Sequence, residues 1–329
     1  MRPGLRNILF LVLIGTLILS CKKSIVVNAG WKDITIVYGI LNQSDTLHYI
    51  KVTKAFLGPG NELGYAQIYD SSNYKYNLLV SLNEYSGTSL INTVALRDTM
   101  ITNKDSGLFY FPVQKLYYTR AKLNDTGYYK LNILDTVTNK TIESQTSLVS
   151  DFKLEKPIVL PGVIFIPGKA SDVQWISAAG GKRYQLTIRI HYSEFRKGDS
   201  VKTFHSLDWI PFKEVKSLTD KGGQVMVYYL QGNEFYIFLS MNLIADPDIV
   251  RSLGLCDYIF LVGSADLDNY MMVSQESNTI IQYKPPFSNI DNGIGLFASR
   301  HLVPFDSLQF ADITKDSLKT NHYTKNLGF

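Results

Sequence analysis

From Asp33 onward the chain runs as short segments rich in Ile, Val, Tyr, Phe and Thr, separated by clusters of Asn, Asp, Gly and Ser. That is the pattern of strands joined by tight turns. The clearest case is 184–192, where Tyr184, Leu186, Ile188 and Ile190 fall on one face and Gln185, Thr187, Arg189 and His191 on the other. This period of two predicts a strand with one buried and one wet side. Segment 47–52 alternates less cleanly, with Leu47 and Tyr49 on one face and His48, Ile50 and Val52 on the other, and still reads as a strand. Residues 34–38, 76–85, 114–119, 128–134, 140–149, 173–177 and 225–230 complete the expected set. Asn124-Asp125-Thr126-Gly127 and Thr138-Asn139 supply turns between the later ones.

The regular spacing predicts a mainly β fold of two β-sandwich-like (Ig-like) domains. Pro157, Pro161 and Pro167 with two glycines interrupt any ladder over 153–168, because proline cannot donate a hydrogen bond. The expected layout is an N-terminal sandwich over 33–152, a junction over 153–168, and a second β-rich domain over 169–329. One or two short helices are expected in the C-terminal half. Asn233 is placed to cap 234–243, where Phe235, Phe238, Leu239 and Asn242 recur at helical spacing and Asp246-Pro247-Asp248 stops the run. The same segment is aromatic enough to suit a strand, and 248–253 reads as a second short helix.

The first twenty residues follow a different pattern. Arg2 and Arg6 precede an apolar stretch, Ile8 to Leu19, which ends at Ser20-Cys21-Lys22-Lys23. That order is the charged, apolar and small-residue sequence of a secretory signal. The stretch is shorter than the roughly 20 apolar residues of a good membrane span. Ile18-Leu19-Ser20-Cys21 resembles the lipobox of bacterial lipoproteins, which implies cleavage before Cys21 and acylation of that cysteine. An ordinary signal with a chance cysteine is the alternative. Each acyl methylene in the bilayer contributes about 0.8 kcal/mol, so several chains make a lasting anchor to membrane lipid. Residues 21–32 then form a lipidated tether for a soluble body.

Charge and composition narrow the picture. Loss of Arg2 and Arg6 takes the net charge from +4 to 4 − 2 = +2, and no Lys/Arg run stands out, so nucleic acid is not an expected partner. Cys256 would be the one remaining thiol, set beside the apolar run 258–261, where a small buried residue is the expected role. Tyrosine is in excess, with 21 residues that include the adjacent pairs Tyr117-Tyr118, Tyr128-Tyr129 and Tyr228-Tyr229. Neighbours in a strand point to opposite faces, so one of each pair could present a flat amphipathic surface while the other packs a sheet.

Asn233-Glu234-Phe235-Tyr236, Asp246-Pro247-Asp248 and the segment Ser288-Asn289-Ile290-Asp291-Asn292-Gly293-Ile294-Gly295-Leu296-Phe297 resemble an uncharacterised family of Bacteroidota-type (Bacteroidetes) lipoproteins of unknown function. The resemblance implies an envelope location and mostly β domains, and it brings no catalytic residue. Lys22-Lys23-Ser24-Ile25 follows the cysteine where surface-displayed lipoproteins of such bacteria often carry acidic residues. The sequence therefore leaves open which face of the outer membrane carries the body. Asp followed by Ser or Thr and an apolar residue resembles the O-glycosylation acceptor of the same bacteria, and it marks Thr46, Thr99, Thr136, Ser200, Ser307 and Ser317. Ordinary turns leading into strands would use the same dipeptides.

No catalytic motif emerges. Gly293-Ile294-Gly295-Leu296-Phe297-Ala298 matches G-x-G-x-x-A, but a dinucleotide site needs a strand before it, a helix after it and an acidic residue about 20 positions on within one βαβ unit, whereas here a turn precedes it and no helical pattern follows. A glycine turn feeding a buried strand is expected there, with positive φ at Asn292-Gly293. His48, His191, His205, His301 and His322 make no close metal pair, and no G-x-S-x-G elbow occurs. Asp246-Pro247-Asp248 and Asp266-Leu267-Asp268-Asn269 suit caps or turns, with an irregular calcium site as the alternative. The reading is a non-enzymatic binding or accessory module of the outer membrane, without cofactor, whose partner is an outer-membrane receptor or a glycan. The competing reading is a hydrolase acting on envelope or dietary glycan through two carboxylates that sequence spacing does not reveal.

Overall fold

The computed structural model describes residues 34–55, 62–158, 160–199, 201–274 and 287–329. The fold is mainly β, with three open sheets. The largest has eight strands in the order β12 (Thr203–Lys216), β11 (Arg183–Arg196), β14 (Ile249–Gly263), β15 (Gly293–Gln309), β1 (Thr35–Leu41), β2 (His48–Lys54), β6 (Gln114–Thr119) and β5 (Arg97–Ile101). A four-stranded sheet orders β4 (Ser89–Ala95), β3 (Leu79–Ser86), β7 (Tyr128–Asp135) and β8 (Lys140–Ser147), and a three-stranded one orders β13 (Val225–Gln231), β10 (Ala170–Ile176) and β9 (Leu154–Lys156). Helices α1 (Glu62–Ala66) and α2 (Tyr69–Ser72) lie early, and α3 (Gly232–Asn242), α4 (Ala265–Ser274) and α5 (Asp312–Thr320) lie late.

Two hydrophobic cores result, and β15 serves both. Its residues 293–299 run parallel to β1, from Thr35↔Gly293 to Leu41↔Ser299, while Arg300 to Gln309 pair antiparallel with β14. The first core gathers Val37, Leu41, Ile50 and Phe297 against Leu82, Leu131 and Ile133 of the four-stranded sheet. The second packs Tyr184, Leu186, Phe212 and Phe260 against Trp175 and Leu230 of the three-stranded sheet and Phe235 of α3. Aromatic stacking runs through it, with Trp175 on Phe212 at 5.8 Å and Phe165 on Phe235 at 4.5 Å between ring centroids. Such pairs contribute about 0.5–1.5 kcal/mol each beyond burial alone.

The alternation expected over 184–192 is present: Tyr184, Leu186, Ile188 and Ile190 are fully buried and the intervening side chains half-buried. Asn292 has φ 59°, as the turn before a buried strand requires, whereas the positive φ among the two glycines that follow is at Gly295 (φ +126°). A Cβ at Gly295 would sit 1.9 Å from the carbonyl oxygen of Val37, so the parallel approach of β1 demands glycine there. Cys256 is wholly buried in β14, and burial pushes its thiol well above the usual range.

Two helix expectations change. Residues 248–253 are not a helix: Asp248 ends a turn and Ile249 starts β14, because Ile249, Val250 and Arg251 pair with Arg196, Phe195 and Glu194 of β11. The helix expected at 234–243 is α3, but Asn233 does not cap it. Its side chain instead accepts the Gly168 N–H at 3.1 Å, and the cap position is Gln231, without a side-chain bond.

Candidate functional site

Between the two cores the free edge of β8 faces the loops around Gly180, Asp220 and Ser264. These elements enclose a polar cleft of about 760 Å³, lined by Tyr128, Lys130, Glu143, Gln145, Ser147, Gly180, Asp220, Asp266, Asn289 and Asp291 among others. The segment that bears the family resemblance forms one wall, and its side chains are clamps. Asn289 donates to the Phe297 carbonyl at 2.7 Å and accepts the Phe297 N–H at 2.9 Å. Ser288 Oγ accepts the N–H groups of Ile290 and Gly295. Ser144 Oγ donates to the Asn289 carbonyl at 2.6 Å, and Asn292 Nδ2 donates to the Thr141 carbonyl at 3.0 Å. The motif thus ties β8 to β15.

The same wall covers part of the β8 edge. Glu143 and Asp291 exchange backbone bonds, at 3.3 and 2.8 Å, and the Ser147 carbonyl accepts Ser299 Oγ at 2.6 Å. Antiparallel strands turn every second residue to the same edge, so the N–H and C=O of Gln145 face the cleft, between two satisfied neighbours. An exposed edge of this kind offers both a donor and an acceptor to whatever enters.

Carboxylates dominate the electrostatics. Asp266 stands in the first turn of α4. Burial pushes its carboxyl above the usual range; the Asn289 side chain opposes this, and the charge of Asp220 adds to it. Its neighbour two residues on behaves differently: Asp268 is buried and bonds Arg183 at 2.8 Å and Lys216 at 3.1 Å. The Asp266-Leu267-Asp268-Asn269 run therefore splits between the cleft and a buried ion network. Glu143 pairs with Lys130 at 3.1 Å. Among the described residues no group of three or more His, Cys, Asp or Glu is arranged to hold a metal ion.

The other sites read from sequence are scattered. Cys21 and Ser200 lie outside the described residues. Thr46, Thr136 and Ser307 are exposed, Thr99 and Ser317 half-buried, and Ser317 Oγ is engaged with the Ile313 carbonyl at 2.7 Å. Asp246 and Asp248 clasp Arg196, at 2.9 and 3.4 Å. His301 bonds Asp151 at 2.7 Å and Asn42 at 3.1 Å where β1 ends, and His191 bonds Asp257 at 2.7 Å. Each tyrosine pair splits across its strand, with Tyr117 and Tyr129 buried and Tyr229 exposed. Gln145, Asp220 and Asn289 carry no local signal in the sequence that marks them as cleft residues. Among the described residues no helix is long and apolar enough to cross a membrane.

No protein-family model and no curated protein matches the chain. Among solved structures it is similar to the C-terminal globular domain of an oligosaccharyltransferase from Pyrococcus abyssi, at 10% identity and a TM-score of 0.24. The match covers 67% of this chain and 45% of that one, so the chain spans less than half of that structure's length. A likeness this loose carries no conclusion about fold or activity.

Proposed function

We propose that this protein is an envelope lipoprotein, held on the outer membrane through acylated Cys21, that binds a glycan in the cleft between two sandwich-like (Ig-like) units sharing β15. The observation that carries the reading is the cleft itself. It is large enough for a short oligosaccharide, and it offers the carboxyls of Asp220 and Asp266 together with the cleft-facing backbone pair of Gln145, which has no partner on that side among the described residues. Sugar hydroxyls both donate and accept hydrogen bonds, and this lining serves both needs. The test is calorimetric titration of the full chain in non-ionic detergent with neutral oligosaccharides from bacterial envelope and plant polysaccharides. Saturable binding that weakens at least tenfold in the Asp220→Ala/Asp266→Ala variant is the expected result. Absence of binding across the panel, or equal binding by the variant, would remove the proposal.

One observation favours hydrolysis as a second reading. Burial raises the carboxyl of Asp266, which faces the exposed Asp220 in the same cleft lining, and a glycosidase works with two carboxyls flanking the bond it cuts. Reducing ends released from those same glycans, and lost in Asp266→Asn, would establish it. Binding without release supports the module. An outer-membrane receptor is the protein partner that such a module would serve, and crosslinking in intact cells is the direct check.

A further inference from the structure

A second pocket lies on the face of the eight-stranded sheet turned away from the first core. Val37 and Val52 point into that core, so their neighbours Tyr38 and Lys51, which sit opposite each other across β1 and β2, point outward. Over them folds the loop 102–113, which contributes Lys104, Phe109 and Tyr110, and the resulting pocket measures about 330 Å³. Three ammonium groups line it: Lys51, Lys54 and Lys104. Lys51 Nζ donates to Gln114 Oε1 at 3.3 Å, and Lys104 Nζ donates to the Tyr110 carbonyl at 2.6 Å and lies 5.6 Å from the centre of the Phe109 ring. Lys54 Nζ lies 6.0 Å from the centre of the Tyr74 ring.

Among the described residues no carboxylate lines this pocket and none of the three lysines forms an ion pair. Elsewhere the chain pairs its cations readily, as at Lys130, Lys156, Arg189 and Lys216. Burial first, and then the like charge of Lys104, lowers the pKa of Lys51. Two partly desolvated ammoniums that repel each other and keep unused N–H donors cost stability unless an anion arrives. The surrounding rings give that anion a flat apolar body to rest on.

We infer that this pocket binds an oxyanion, a phosphate, sulfate or carboxylate, carried on a ring that packs against Tyr38, Phe109 and Tyr110. Lys51 and Lys104 hold the charge, and Lys54 adds to the field at the rim. The site is separate from the glycan cleft and stands or falls independently of it. It is tested by titrating the full chain, in non-ionic detergent at low ionic strength, with phenyl phosphate, inorganic phosphate and phenol. Phenyl phosphate is expected to bind saturably and more tightly than inorganic phosphate, with phenol failing to saturate. Raising the salt should weaken binding steeply. Lys51→Gln and Lys104→Gln are each expected to lower the affinity for phenyl phosphate about tenfold while leaving the ligand-free protein at least as resistant to heat. Retained melting behaviour in those variants separates a lost site from a lost fold. The inference is overturned if no anion saturates, if phenol binds as well as phenyl phosphate, or if the Lys51→Gln/Lys104→Gln double variant binds as the parent does.

Discussion

The two halves of β15 belong to one continuous strand and live in different surroundings. Over Gly295 to Ser299 every residue is buried, because Phe297 enters the first core on one face while α4 lies against the strand on the other. From Arg300 to Pro304 burial alternates, with His301 and Val303 inside and Arg300, Leu302 and Pro304 outside. The sequence changes at the same place. Gly-Leu-Phe-Ala-Ser is a run of small and apolar residues without period, whereas Arg-His-Leu-Val-Pro mixes polar and apolar positions. A strand covered on both faces has no wet side to encode, so its signature is continuity; one covered on a single face announces itself by alternation.

Substitutions can break this comparison. The largest effect is expected at Gly295→Ala, where the new Cβ meets the Val37 carbonyl and the backbone is left-handed. A loss of about 4 kcal/mol or more, or failure to fold, should appear in urea melts, while Arg300→Ala five residues on stays within about 0.5 kcal/mol. Similar values for the two would mean that the halves do not differ. Phe297→Ala should cost about 3 kcal/mol by emptying a fully buried site, and Leu302→Ala, about half exposed at 48%, less than about 1 kcal/mol.

Asn289→Ala would leave the N–H and carbonyl of Phe297 without their side-chain partners, a loss of about 1–3 kcal/mol that sharpens the view of this motif as a clamp. The smallest effect is expected at Asp266, on the helix over the buried half, and its sign is reversed. Its carboxyl is raised in the fold, so its favourable contribution exists below the ordinary value of 3.8 and is lost as pH rises through the raised value. Asp266→Asn should therefore raise Tm slightly at pH 7, with the gain shrinking as pH falls toward 4. A lower Tm at pH 7 would show that Asp266 is held by a favourable partner.

Local patterns carried the elements they could reach. Strands β6 and β7 begin and end within a residue of where their composition places them, and β11 follows its alternation, because each has one core face and one wetter face. Strands β4 and β5 gave little warning: neither has a residue in the core, so nothing in them alternates. The start of β14 could pass for a helical turn until Phe195 and Arg196 supplied its partners, and those partners are about fifty positions upstream. The candidate sites were hidden for the same reason. Lys51 and Lys104 stand on a strand and on a distant loop, and Gln145 matters only because, among the described residues, the neighbouring wall pairs Glu143 and Ser147 on either side of it. What makes these residues a site is the sheet order, which no short window contains.

That order also dictates when the protein can be finished during synthesis. Gln43 and His301 touch although 258 positions separate them, and β1, among the first strands made, waits for β15 before its second edge is closed. Contacts of such sequence separation are slow to form, since the loop between them must be closed before they stabilise anything. Until then β1 and β2 present an open edge and half of an apolar core, the features that invite association with other chains. The shared strand that binds the two cores together thus makes completion of the first core depend on a strand 258 positions further along the chain. Any holding factor that shields the emerging chain would have to act on the early strands and let go only once β15 has been made.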